Sequence, residues 1–113
     1  MEQRRIPFAD LPWLSVAPGA REKSVTAGSA TLRLLELSAD FNEEDWCLHA
    51  HHGLVIMGEL EIDFGGSATI YQQGDGIHIP GGLVNRHKAT PLTEKVLLFL
   101  VEEARGRASS GPS

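Results

Sequence analysis

Only one cysteine, Cys47, occurs among the 113 residues, so no disulfide can form within the chain. Basic residues are in the minority, ten Lys+Arg against fifteen Asp+Glu, which leaves a formal charge of −5. No basic stripe offsets that charge, and this argues against nucleic acid as a partner. Long apolar runs are missing too: none approaches the roughly 20 residues of a membrane-spanning helix, and no membrane association is expected. Arg4-Arg5 leads into Ile-Pro-Phe-Ala-Asp rather than an apolar segment, so no signal peptide is expected. There is no P-loop, no G-x-G-x-x-G, no Cys-x-x-Cys pair, no nucleophile elbow and no helix-turn-helix. These absences point to a reduced, cytoplasmic protein with one domain over residues 1–103.

Helical periodicity is scarce and alternation of period two is common. In Glu59-Leu60-Glu61-Ile62-Asp63-Phe64, Leu60, Ile62 and Phe64 share one face and the acidic residues take the other. Gly65-Gly66 then suits a tight hairpin, which predicts that 67–72 runs back antiparallel. Gln73-Gly74-Asp75-Gly76 is the next turn, and Ile77-His78-Ile79 is a short strand stopped by Pro80-Gly81-Gly82. Further strands are expected over 30–37, over 45–52 continuing through 54–57, and over 95–101. Only 7–14 and 41–45 are helix candidates, both short. The class is therefore all-β, a small antiparallel sandwich or barrel. An irregular N-terminal arm is expected over 1–22, with Phe8, Leu11, Trp13 and Leu14 to bury along the sheet or across a dimer interface. The tail 104–113 has no apolar anchor and is expected to be disordered.

Five histidines are present, and His49, His51 and His52 fall within four positions. If 45–52 is extended, Asp45, Cys47, His49 and His51 lie along one face, and Trp46, Leu48, Ala50 and His52 along the other. Carboxylate, thiol and imidazole on one stripe are good ligands for a first-row divalent metal.

At this point the sequence resembles the cupin superfamily, in its small single-domain, RmlC-like form. The resemblance spans about residues 25–102. Gly74-Asp75-Gly76-Ile77-His78-Ile79-Pro80-Gly81-Gly82 matches the start of the second cupin motif, and Gly58 closes the first. Residues 59–73 give the intermotif spacing of the short bacterial members. The resemblance implies a jelly-roll barrel, one bound divalent metal (Fe, Ni, Mn or Zn) and a homodimer. The motif histidines and glutamate are displaced, and two registers stay open. One, set by His49-Ala50-His51, puts the glutamate position at Val55 or Ile56. The other, set by Gly58, puts it at His51 and the H-x-H positions at Asp45 and Cys47. The second-motif histidine position is Asn85, with His87 two residues on.

Both registers keep His51, and His87 is its natural partner. Cys47 and His49 compete for the remaining places, with Asp45 a weaker entrant. His78, Tyr71 and Arg86 are candidates for lining a pocket. The resemblance implies dioxygenase- or isomerase-type chemistry on a small polar or carboxylate substrate. The alternative is a non-catalytic module that binds a small ligand or dimerises, its metal site degraded.

Overall fold

Wherever apolar and polar residues alternate, the chain is extended. The computed structural model describes residues 4–103, and within them nine strands form: β1 (Leu14–Ala17), β2 (Ala20–Ala27), β3 (Ala30–Ser38), β4 (His51–Met57), β5 (Leu60–Asp63), β6 (Ala68–Tyr71), β7 (Gly76–Ile79), β8 (Lys88–Pro91) and β9 (Lys95–Glu103). They make a six-stranded sheet in the order β1-β2-β3-β9-β4-β7 and a three-stranded sheet in the order β6-β5-β8. Every pairing is antiparallel.

Period two decides which side chains meet between the sheets. β3 sends Leu35 and Leu37 inward, β9 sends Val96, Leu98 and Leu100, β4 sends Val55, and β7 sends Ile77 and Ile79. Leu60 and Ile62 of β5 and Ala89 of β8 close the core from the other sheet. Each fully buried Leu, Ile or Val contributes about 1.5–3 kcal/mol, so this aliphatic layer dominates the stability.

Several expectations need correction. The arm is irregular only as far as Trp13, apart from a 3-10 turn at Phe8–Asp10; residues 14–17 and 20–27 form the β1–β2 hairpin. The arm packs on its own sheet. The Phe8 ring meets Phe99 edge-on at 6.3 Å, Lys23 Nζ donates to the Phe8 carbonyl at 2.8 Å, and Trp13 stacks beneath Arg21 and Lys23. No helix forms over 41–45, and 7–14 holds only the 3-10 turn. The strand expected over 45–52 and on through 54–57 begins only at His51, as β4: residues 42–50 are irregular, and within them Cys47 alone bridges to His87. β8 went unforeseen. The tail 104–113 lies outside the described residues. Among the described residues no helix is long and apolar enough to cross a membrane.

Two glycines fix the path of β4 against β9. Gly58 turns β4 into β5 at φ +86°, and a Cβ there would sit 2.2 Å from the Lys95 carbonyl oxygen. Gly53 lets β4 press on β9, since its Cβ would stand 1.8 Å from the Phe99 carbonyl oxygen. Backbone cannot yield there as a side chain could. Gly53→Ala is expected to cost about 3 kcal/mol, read as a lowered midpoint in urea unfolding. A loss below about 0.5 kcal/mol would mean that the two strands can separate freely.

Candidate metal centre

Cys47, His51 and His87 are all buried, and one ligand atom from each lies within 4.8 Å of the others. The backbone bridge makes this meeting possible. Cys47 N–H donates to the His87 carbonyl at 2.8 Å, and His87 N–H returns a bond to the Cys47 carbonyl at 3.1 Å. His51 opens β4 beside them, its ring edge-on to that of His87 with centroids 5.0 Å apart.

Each imidazole has a partner that fixes its tautomer. His51 Nδ1 lies 2.9 Å from a Glu102 carboxylate oxygen, and His87 Nδ1 lies 3.0 Å from the Asn85 carbonyl. Both acceptors require the proton on Nδ1, which leaves the Nε2 lone pairs to face the centre. His51 Nε2 is 3.7 Å from Cys47 Sγ. His87 Nε2 is buried and has no hydrogen-bond partner among the described residues. Leaving such an atom unsatisfied costs about 1–3 kcal/mol. Burial pushes the Cys47 thiol up to about 11, partly opposed by a bond from the His49 backbone N–H and reinforced by Glu43 and Glu102. Burial lowers the His87 pKa, against the pull of its Asn85 bond and helped by His51 and His49.

Behind His51 lies a buried array of charge that the sequence reading missed. Arg33 of β3, 2% exposed, donates from Nε to Glu22 of β2 at 2.6 Å and from Nη1 to Glu102 of β9 at 3.1 Å. The same Glu102 oxygen holds His51. Each member occupies the inward parity of its strand, which was the available signal. Glu43, from the irregular segment, caps the Ala89 N–H at 2.8 Å.

The other sequence candidates are placed elsewhere. His49 and Asp45 are exposed and outside the group of three. The expected stripe therefore fails because no ladder keeps 45–51 extended. His78 is exposed on the outer face, against His52, and does not line the interior. Arg86 lies over the Trp46 ring at 5.1 Å and against Gly65. Only Tyr71 reaches the interior. It lines a cavity of about 20 Å³ together with His51 and aliphatic side chains including Leu60, Ile79 and Leu98.

The barrel has relatives among solved structures. KdgF from Halomonas sp. superposes with a TM-score of 0.73 at 20% identity, over 88% of this chain and 91% of that one. An RmlC-like cupin from Shewanella frigidimarina gives 0.75 at 12% identity, over 94% and 95%. This chain has the cupin fold. The polyketide cyclase RemF from Streptomyces resistomycificus shares it too, with a TM-score of 0.73 and 16% identity over 91% of this chain and 80% of that one. No family profile matches the chain, and neither does any curated protein.

Within this cupin barrel the geometry groups Cys47 with His51, the pairing of the register set by Gly58. The donor set fits a transition ion. A tetrahedral ion about 2.3 Å from sulfur and about 2.0–2.1 Å from nitrogen holds those atoms about 3.6 Å apart. The Sγ–Nε2 separation of 3.7 Å is close to that value.

Proposed function

We propose that this cupin binds one divalent transition metal through Cys47 Sγ, His51 Nε2 and His87 Nε2. The observation that carries this reading is the buried, unpartnered Nε2 of His87, in a residue grouped with a thiol and a second imidazole whose tautomer is already set. A thiolate with two imidazoles favours Zn, Ni or Fe(II) over the harder Mn(II). When bound, such an ion supplies Lewis acidity to a small ligand. The chain's own residues hold the ring protons away from it: Glu102 on His51 and Asn85 on His87. Leu60, Ile79 and Leu98 give the cavity beside His51 an apolar lining.

Protein purified without chelator is expected to carry about one metal per chain by elemental analysis, and His51→Ala to carry little. Co(II) loading is expected to give a thiolate-to-metal charge-transfer band that Cys47→Ser lacks. Full metal content in both variants would overturn the ligand assignment.

Turnover of a small polar or carboxylate substrate, by dioxygenase- or isomerase-type chemistry, is the catalytic form of this proposal. A second, non-catalytic reading is favoured by one observation. The cavity beside His51, about 20 Å³, has room for roughly one water molecule. Azide added to the Co(II) protein separates the two. A shifted spectrum supports an ion open to exogenous ligands, and an unchanged one supports a closed, structural ion.

A further inference from the structure

β4 carries adjacent histidines that point to opposite sides of the sheet, and only His51 belongs to the interior centre. His52 projects outward and is directly paired with His78 of β7 in the antiparallel register. Both side chains are exposed, their Nδ1 atoms are 3.1 Å apart, and the rings are tilted by 34° with centroids 5.0 Å apart.

Two ring nitrogens at this distance cannot both direct a proton at each other. Either one donates and the other accepts, or both lone pairs turn onto a single cation. A tetragonal or octahedral ion with nitrogen ligands at about 2.0–2.1 Å holds cis donors about 2.9 Å apart, close to the separation present here. The scaffold is stiff enough to preserve it. His51 and Val55 anchor β4 in the core, Ile77 and Ile79 anchor β7, and Gly53 presses the strand onto β9. The residue across β9 from His52 is Val101, which brings no carboxylate to the site. Nitrogen donors completed by water suit Cu(II) or Ni(II) rather than Ca or Mg.

We infer that His52 and His78 form a second metal site, a surface imidazole chelate for a divalent ion of the Cu(II) or Ni(II) class. It lies on the far side of β4 from Cys47, His51 and His87 and does not depend on them.

The test is calorimetric titration with Ni(II) alone of the wild type, His52→Gln, His78→Gln and the double variant, each checked for an unchanged β-sheet spectrum. Once one imidazole is bound, the second binds intramolecularly, so either single substitution is expected to weaken the surface equivalent by about 100-fold. The double variant is expected to lose little more than either single. Any equivalent held by the interior centre stays unchanged in all three variants, so failure of that centre and failure of this site read differently. Single variants within about threefold of wild type would overturn the chelate. So would two losses that simply add, because independent histidines do not need each other.

Discussion

Arg33→Met is expected to destabilise the barrel by about 3–5 kcal/mol, the range for removing one partner of a buried ion pair. The guanidinium is 2% exposed and stands between two carboxylates, at 2.6 Å from Glu22 and 3.1 Å from Glu102. Methionine fills much of its volume but leaves both carboxylates facing each other in a medium of low polarity. Urea unfolding checks this, with a midpoint expected to fall by roughly 1.5–3 M for a protein of this size. A loss under about 1 kcal/mol would show that water reaches the array and screens it. The triple variant Glu22→Leu, Arg33→Met, Glu102→Leu carries the argument further. Apolar residues of similar volume often replace a buried ionic group at no cost in stability, so the triple variant is expected to recover most of what the single one loses. It nevertheless removes the acceptor of His51 Nδ1–H, and the ring is then free to take the other tautomer. Recovery of the fold together with weakened metal binding, by about 10–100-fold, is the expected pair of results. On this view the array is retained for the orientation of His51, since stability could be had more cheaply from leucine.

The parity of three strands made that array legible in principle. Ala30 to Ser38 alternates cleanly, and Thr31, Arg33, Leu35 and Leu37 share the inward face, so Arg33 is a charge on the core side. Glu102 follows Val96, Leu98 and Leu100 at the same spacing, and Glu22 follows Ala20. A charged residue at an inward position on each of neighbouring strands asks for a partner, and here the partners are one another. The hairpin β5–β6 and the strands β3, β7 and β9 were readable for the same reason, because alternation or a short apolar run was bounded by glycine turns. The β1–β2 hairpin was not. β1 shows no alternation of burial, and Pro12, Pro18 and Gly19 around it look like the punctuation of a loop.

Half of the candidate ligand stripe was readable, and the reason lies in hydrogen bonding. Period two holds only where a ladder keeps the backbone extended. Between Phe41 and His51 the described chain makes a single bridge, Cys47 to His87, so the spacing of Cys47 and His51 survives while His49 swings to the surface. That bridge joins positions forty residues apart by sequence number, 47 and 87. No local pattern encodes it. The shift from Asn85 to His87 becomes intelligible only from the pairing: the 3-10 turn Leu83–Asn85 ends just before the bridge, and His87 is the residue that faces Cys47.

Alkylation of Cys47 in the metal-free protein is expected to be slow and steeply dependent on pH. Thiolate is the nucleophile, and a thiol pushed by burial from 9.0 to about 11 carries about 100-fold less of it at pH 8 than an ordinary thiol. The iodoacetamide rate is expected to rise about tenfold per pH unit until it levels near the shifted value. The sign for stability follows from linkage. The folded state holds this proton more tightly than the unfolded state, so the contribution is complete below about pH 9 and is lost as pH rises through about 11. Cys47→Ser is expected to lack that part of the alkaline decline. A rate equal to that of glutathione at pH 8 would mean that the segment 42–50 opens and exposes the sulfur. Zn(II) then turns the same assay onto the metal centre. One equivalent is expected to abolish alkylation in the wild type and to leave it almost unchanged in His51→Ala, because Cys47 and His87 alone are too few ligands to hold the ion. Undiminished alkylation of the wild type with Zn(II) present would remove Cys47 from the ligand set.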